Sequence, residues 1–231
     1  MPAYPKYKTV FIEVTKNASS SIINLLSEGA EVNPTHSTYP MLKSMLDFNG
    51  VDVSEYFKFI IIRNPYDRYC SGWEYMQEKM NWPLTFEQTL DFLLEREARA
   101  TGEPIIVVDA DGNPIPEKAN RALDGQLQYW WDDAPPLLWP QHAFITEGET
   151  VHISNYYKIE DITNQWAIIR NEIYTVSGET LPETLSILNT RTNPTPWENF
   201  FNGTDGATLA QKIEQLYDRD FQMFGYDKLV F

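Results

Sequence analysis

Apolar residues in this chain gather in short continuous runs, separated by longer stretches in which they recur every three or four positions. The run Phe57, Phe59, Ile60, Ile61 and Ile62 is short, β-branched and followed by polar sequence, the pattern of a buried strand. Val10 to Val14 repeat that pattern near the N-terminus, so strands are expected over 8–14 and 57–62. A helix is expected after each, over 19–28 and over about 65–79. Pro65 suits the first turn of the second helix because it has no N–H to leave unpaired. TFEQTLDFLLEREAR supports another helix, with Thr85 and Gln88 spaced as a capping box. Further helices are expected over 161–176 and 206–222. The latter places Leu209, Ile213, Leu216 and Tyr217 on one stripe at helical spacing, so these should be core residues. Strands alternating with helices predict an α/β fold with a central parallel sheet flanked by helices.

The middle of the chain is less regular. Residues 101–118 read as an excursion carrying a small hairpin, with Asp111-Gly112 as its turn. The aspartates there lack the spaced ligands and terminal Glu of a calcium loop, so no metal is expected. Trp130, Trp131 and Trp139 follow in two segments rich in Trp and Pro. Flat indole faces stack on sugars, and they equally serve as packing between elements. No internal repeat, low-complexity tract or linker interrupts the 231 residues, which are expected to form a single domain, 1–231.

The chemistry gathers where the two strands end. VFIEVTKNASSSI runs from strand through Lys16 into Ser19, Ser20 and Ser21 at a helix start. FKFIIIRNPYDRYCSGW does the same with Arg63 at the strand end and Ser71 eight residues later. A helix N-terminus offers unpaired N–H groups and the positive end of its dipole, which attract phosphate. Lys16 adds a point charge, the serines add hydroxyl donors, and Arg63 can grip a phosphate with its planar fork. Two such turns make a receptor for a ligand with two separate phosphate groups. The plainer alternatives are a solvated loop lysine and a structural Arg63–Asp67 ion pair. A nucleotide-hydrolase phosphate loop is excluded: no stretch fits Gly-x-x-x-x-Gly-Lys-Ser/Thr, and the turn at Lys16 holds no glycine.

These residues resemble the sulfotransferases that use 3′-phosphoadenosine 5′-phosphosulfate (PAPS). VTKNASSSI is similar to their 5′-phosphosulfate loop, which in the carbohydrate branch carries Pro-Lys-Thr, small residues and Thr-Ser. Thr15 stands where the family usually has Pro, and Ser20 where it has Thr. RNPYDRYCS resembles the 3′-phosphate motif, Arg-x-Pro with a Ser eight residues after the Arg. YYKIEDI, 156–162, resembles a further strand segment, and IEQLYDRDFQMFGY, 213–226, the closing helix with its Asp-Phe-x-x-Phe-Gly-Tyr ending. The resemblance covers most of the chain in order, except about residues 80–140.

The resemblance implies a fold like that of the P-loop nucleotide hydrolases and transfer of a sulfuryl group from PAPS to a glycan or small hydroxylated acceptor. Lys16, Asn17, Ser19, Ser20, Ser21, Arg63, Ser71 and Arg191 are the donor contacts it implies, with Lys16 at the oxygen bridging phosphate and sulfate. In uronyl 2-O-sulfotransferase members a catalytic His precedes a short helix leading to the Arg strand. His36 holds a similar place and is the expected base, with Glu13 or Glu74 as substitutes. His142 and His152 are expected to be structural. A kinase-like nucleotide binder and a catalytically silent sugar-binding module are the competing classes.

Composition narrows the partners. With 18 basic and 33 acidic residues the net charge is −15, which removes the electrostatic footprint of nucleic-acid binding. A polyanionic donor then needs a local reversal of the field, from Lys16, Arg63, Arg68 and the two helix N-termini. A neutral or lightly charged acceptor is expected, since no cluster builds a long basic groove. The lone Cys70 forms no internal disulfide and is read as a packing residue suited to a reducing compartment. MPAYPKYKTV is polar and no apolar run spans a bilayer, so a soluble, cytoplasmic protein is expected, unlike the anchored Golgi members.

Overall fold

The computed structural model describes residues 3–28, 37–101, 134–186 and 195–231. In chain order these form β1 (Ala3–Tyr4), β2 (Thr9–Ile12), α1 (Ser19–Leu26), α2 (Tyr39–Phe48), β3 (Phe57–Ile62), α3 (Pro65–Met80) and α4 (Phe86–Thr101). After these come the hairpin strands β4 (Thr146–Glu147) and β5 (Thr150–Val151), then β6 (Tyr156–Lys158), α5 (Ile162–Ser177), α6 (Gly206–Leu216) and α7 (Asp218–Phe224).

The main sheet has the order β1-β2-β3-β6. β2, β3 and β6 are parallel, with Ile12 opposite Ile60 and Ile62 opposite Lys158, while β1 lies antiparallel on the edge. The central parallel strands are buried on both faces, so their sequences are continuously apolar rather than alternating. Phe11, Phe59 and Ile61 pack with Ile22 and Leu26 of α1 and Trp166, Ile169 and Ile173 of α5. The alternate residues Val10, Ile12, Ile60 and Ile62 pack with Leu42 and Leu46 of α2 and Phe224 of α7. Phe11 and Phe59 pack across neighbouring strands with their rings tilted by 37° and 5.0 Å between centroids, a pair worth about 0.5–1.5 kcal/mol beyond its buried area. A second core joins α3, α4 and α6 through Tyr66, Tyr69, Leu90, Leu93 and Ile213.

Local chemistry sets the ends of the helices. Asn64 caps α3 by accepting from the Tyr66 N–H at 2.9 Å, ahead of Pro65 in the first turn, and the helix stops at Asn81 in the left-handed region. The capping box of α4 forms as expected: Thr85 N donates to Gln88 Oε1 (3.0 Å) and Gln88 N to Thr85 Oγ1 (3.3 Å).

Three elements end differently from the sequence reading, among them α1, expected over 19–28, which closes at Leu26. The first strand closes at Ile12 rather than at residue 14, because Glu13 and Val14 already turn toward α1. The stretch 206–222 is two helices broken at Tyr217. Ala210, Ile213 and Leu216 belong to the core under α3 and α4, whereas Phe224 belongs to the sheet. α7 reaches both layers, with Phe221 in the core shared with α6 and Phe224 against the sheet. The break is held where the buried Tyr217 hydroxyl donates to Leu138 O at 2.7 Å. The hairpin expected within 101–118 lies outside the described residues. No helix among the described residues is long and apolar enough to cross a membrane.

Candidate functional site

Parallel strands bring their C-terminal ends to one edge of the sheet, where α/β folds place their ligands. The turn after β2 runs from Glu13 to Ala18 and contains no glycine, yet Lys16 (φ 68°) and Ala18 (φ 56°) both adopt left-handed backbone. Such residues cost about 1–2 kcal/mol each and persist only where the surroundings hold them. Here Ser19 Oγ donates to Val14 O (2.7 Å) and Thr15 Oγ1 to Pro136 O (3.0 Å), which pins the turn at both ends. The first turn of α1 contains no acidic residue, so nothing there offsets the positive end of its dipole.

The second turn, Arg63 and Asn64, connects β3 to α3. Arg63 donates from Nε and Nη2 to the two carboxylate oxygens of Asp67, both at 2.7 Å, and from Nη1 to the Lys16 carbonyl at 3.1 Å. The ion pair is partly exposed, with each side chain about a quarter accessible. Asp67, Ser71, Glu74 and Tyr75 follow at three- and four-residue spacing and share one face of α3. Lys16 Nζ lies 4.3 Å above the Tyr75 ring on that face. The site is therefore bounded by this face of α3, the Lys16 turn and the Arg63 turn.

Beneath it is a buried polar scaffold. Asn17 Nδ2 donates to Ile61 O (2.8 Å) and to Gln141 Oε1 (2.7 Å). Gln141 Oε1 also accepts from Arg63 N (2.9 Å), while Gln141 Nε2 donates to Arg63 O (2.8 Å). The Asp220 carboxylate accepts from Gln141 N (2.7 Å) and His142 N (2.8 Å), and His142 Nδ1 lies 2.7 Å from its Oδ1. Arg68 lies fully buried against the first turn, its Nε and Nη2 each 3.3 Å from Thr15 oxygens. Burial pushes its guanidinium down from the usual range, partly offset by Tyr217 and Asp220. The buried Arg68 cation and the buried Asp220 carboxylate thus sit in one scaffold below the two turns.

The expected site residues do not all face the same way. Lys16, Arg63 and Ser71 border the site, and Ser20 is exposed at the start of α1. Ser19 and Asn17 turn inward instead: the hydroxyl of Ser19 is bonded to Val14 O, and the Asn17 amide is fully buried in the scaffold. Their backbone amides, not their side chains, remain on the turn. Ser21 is buried. His36, Arg191, Trp130 and Trp131 lie outside the described residues. Trp139 is packed against Phe144, its Nε1 donating to Ala134 O at 2.7 Å. Cys70 is buried in the α3 core, which pushes its thiol well above the ordinary range. His142 is buried on Asp220, and His152 is exposed beside Glu147.

Three participants were not singled out from the sequence. Tyr75 is detectable as the position four after Ser71 on the same helix. Asp220 lies inside the closing motif DRDFQMFGY but carried no assigned role. Gln141 gave no local signal at all.

Residues 3–104, from β1 through α4 and including both turns, match the model of a sulfotransferase family. The match covers just under half of the chain. It supports a sulfotransferase family and sulfuryl transfer in general. No match was found among curated proteins or among solved structures.

Proposed function

We propose that this chain is a PAPS-dependent sulfotransferase similar to the carbohydrate, 2-O-sulfotransferase-like branch. It transfers a sulfuryl group to a hydroxyl or amine of a glycan or small acceptor. The observation that carries the reading is the meeting of the two turns: Arg63 Nη1 is 3.1 Å from the Lys16 carbonyl, on neighbouring parallel strands within the matched segment.

In this reading the backbone amides of Asn17 to Ser20 hold the 5′-phosphate at the start of α1, with the exposed Ser20 hydroxyl beside them, while Ser21, buried and with its N–H on Ala18 O, supports the turn from within. Arg63 and Ser71 hold the 3′-phosphate, and Arg191 is a further donor contact. A guanidinium has five N–H bonds, and Asp67 with Lys16 O accounts for three. Asp67 thereby orients the fork while two N–H bonds remain for a phosphate. Lys16 leaves Tyr75 to reach the bridging oxygen.

In the transfer step the acceptor oxygen forms the new S–O bond and the bridging S–O bond breaks. 3′-Phosphoadenosine 5′-phosphate departs with the electron pair, and His36 takes the acceptor proton. Positioning and charge stabilisation supply most of the rate, the base a further share.

The test is release of 3′-phosphoadenosine 5′-phosphate from PAPS with an array of hydroxylated acceptors in the presence of chelator. Acceptor-dependent release supports the reading. Turnover of ATP with magnesium in place of PAPS would replace it with a kinase-like one. The pH profile examines the base: transfer is expected to weaken as pH falls and the imidazole of His36 takes up a proton. A flat profile from mildly acidic to neutral pH, or full activity in His36→Ala, would remove His36 and leave Glu13 or Glu74 as the base.

A further inference from the structure

We infer that Gln141 is a positioning residue that fixes the separation of the two phosphate-binding turns, so that a ligand with two phosphates is held as one unit. The inference rests on the donor-site reading above.

Gln141 lies 78 positions after Arg63 in the chain, yet its side-chain amide pairs with both backbone groups of that residue (2.9 and 2.8 Å). These are the two bonds a neighbouring strand would make. They continue the ladder of β3 one residue past its end, at the point where the Arg63 side chain departs. The same Oε1 accepts from Asn17 Nδ2 at 2.7 Å, and the Asn17 amide also donates to Ile61 O. One oxygen atom therefore ties the first turn to the second. Gln141 is itself anchored, since Asp220 accepts from its backbone N–H at 2.7 Å.

Gln141 and Asn17 are both fully buried. A buried amide is costly unless its hydrogen bonds are met. A methionine of similar volume would fill the same space but leave Arg63 N, Arg63 O and one Asn17 N–H without this partner. The gain from the amide is geometric. Two tethered contacts reinforce each other only when their spacing is fixed to match the ligand, because a loose pair must be ordered at each binding event.

The test compares the affinities of 3′-phosphoadenosine 5′-phosphate, 5′-AMP and 3′-AMP for the full chain. The quantity read is the advantage of the bisphosphate over the better monophosphate. Gln141→Met is expected to reduce that advantage about tenfold or more, while each monophosphate changes by less than about threefold. An unchanged advantage in folded Gln141→Met overturns the inference. So does an equal loss for all three ligands together with a lowered Tm, which marks a merely structural role. If Gln141→Met does not fold, Gln141→Asn keeps an amide but is too short to bridge Arg63 and Asn17 together, and is expected to show the same selective loss. An unchanged advantage there is equally contrary. A wild-type chain with no bisphosphate advantage contradicts the donor site itself, and is told apart because it appears before any substitution.

Discussion

Lys16→Met is expected to lower kcat for sulfuryl transfer by about 10²–10³-fold, the loss typical of removing one donor aimed at developing charge. The bridging oxygen gains negative charge only as the S–O bond breaks, so the lysine contributes more in the transition state than in the ground state. The loss should therefore fall on kcat more than on KM. Stability should hardly respond. Lys16 is on a partly exposed turn, and its contact with the Tyr75 ring at 4.3 Å is worth about 0.5–1 kcal/mol at such a site. Methionine keeps the length of the stem and the left-handed backbone demand unchanged. Lys16→Arg should rescue poorly, because a planar fork does not replace a compact point charge. Steady-state kinetics with PAPS, paired with urea unfolding, check this. A kcat within a few-fold of wild type would remove Lys16 from the leaving-group role.

Asp220→Ala is expected to destabilise the chain by about 3–5 kcal/mol, the range for breaking a buried charged network by removing one partner. The carboxylate is fully buried and meets Gln141 N, His142 N and His142 Nδ1 at 2.7–2.8 Å. Its loss leaves these groups without their acceptor. It also removes a negative charge that favours the buried Arg68 cation. For a chain of this size the corresponding fall in Tm is roughly 6–20 °C. Urea unfolding should show a lower midpoint at unchanged slope, the mark of lost stability rather than altered compactness. A change within about 0.5 kcal/mol, ordinary for a surface site, would contradict the account of the scaffold. Because Asp220 supports Gln141, donor affinity should fall with it even in the folded fraction.

What the sequence made legible is what depends on neighbours in the chain. β3, the cap and proline of α3 and the capping box of α4 follow from local periodicity and local hydrogen bonds, and each is formed. The two turns were found because strand, charge and helix start are contiguous. The Arg63–Asp67 pair, four positions apart, was foreseeable as the plainer alternative for Arg63, and it forms with two 2.7 Å bonds. The scaffold was not legible, since Asn17, Arg63, Gln141 and Asp220 come together only through the topology of the sheet and the packing of α7. The inward turn of Asn17 and Ser19 was hidden for the same reason: in sequence they are indistinguishable from ligand contacts. The break at Tyr217 escaped a periodicity argument because the apolar stripe continues through it, Phe221 staying in the α6 core and Phe224 alone reaching the sheet cluster.

The most direct test of the central claim is calorimetric titration of the chain with 3′-phosphoadenosine 5′-phosphate in the absence of metal, against ADP and ATP. The two-turn site predicts tight binding that requires the 3′-phosphate and is lost in Arg63→Ala. Absence of binding, or equal binding of ADP, would contradict the assignment of these turns to a PAPS donor.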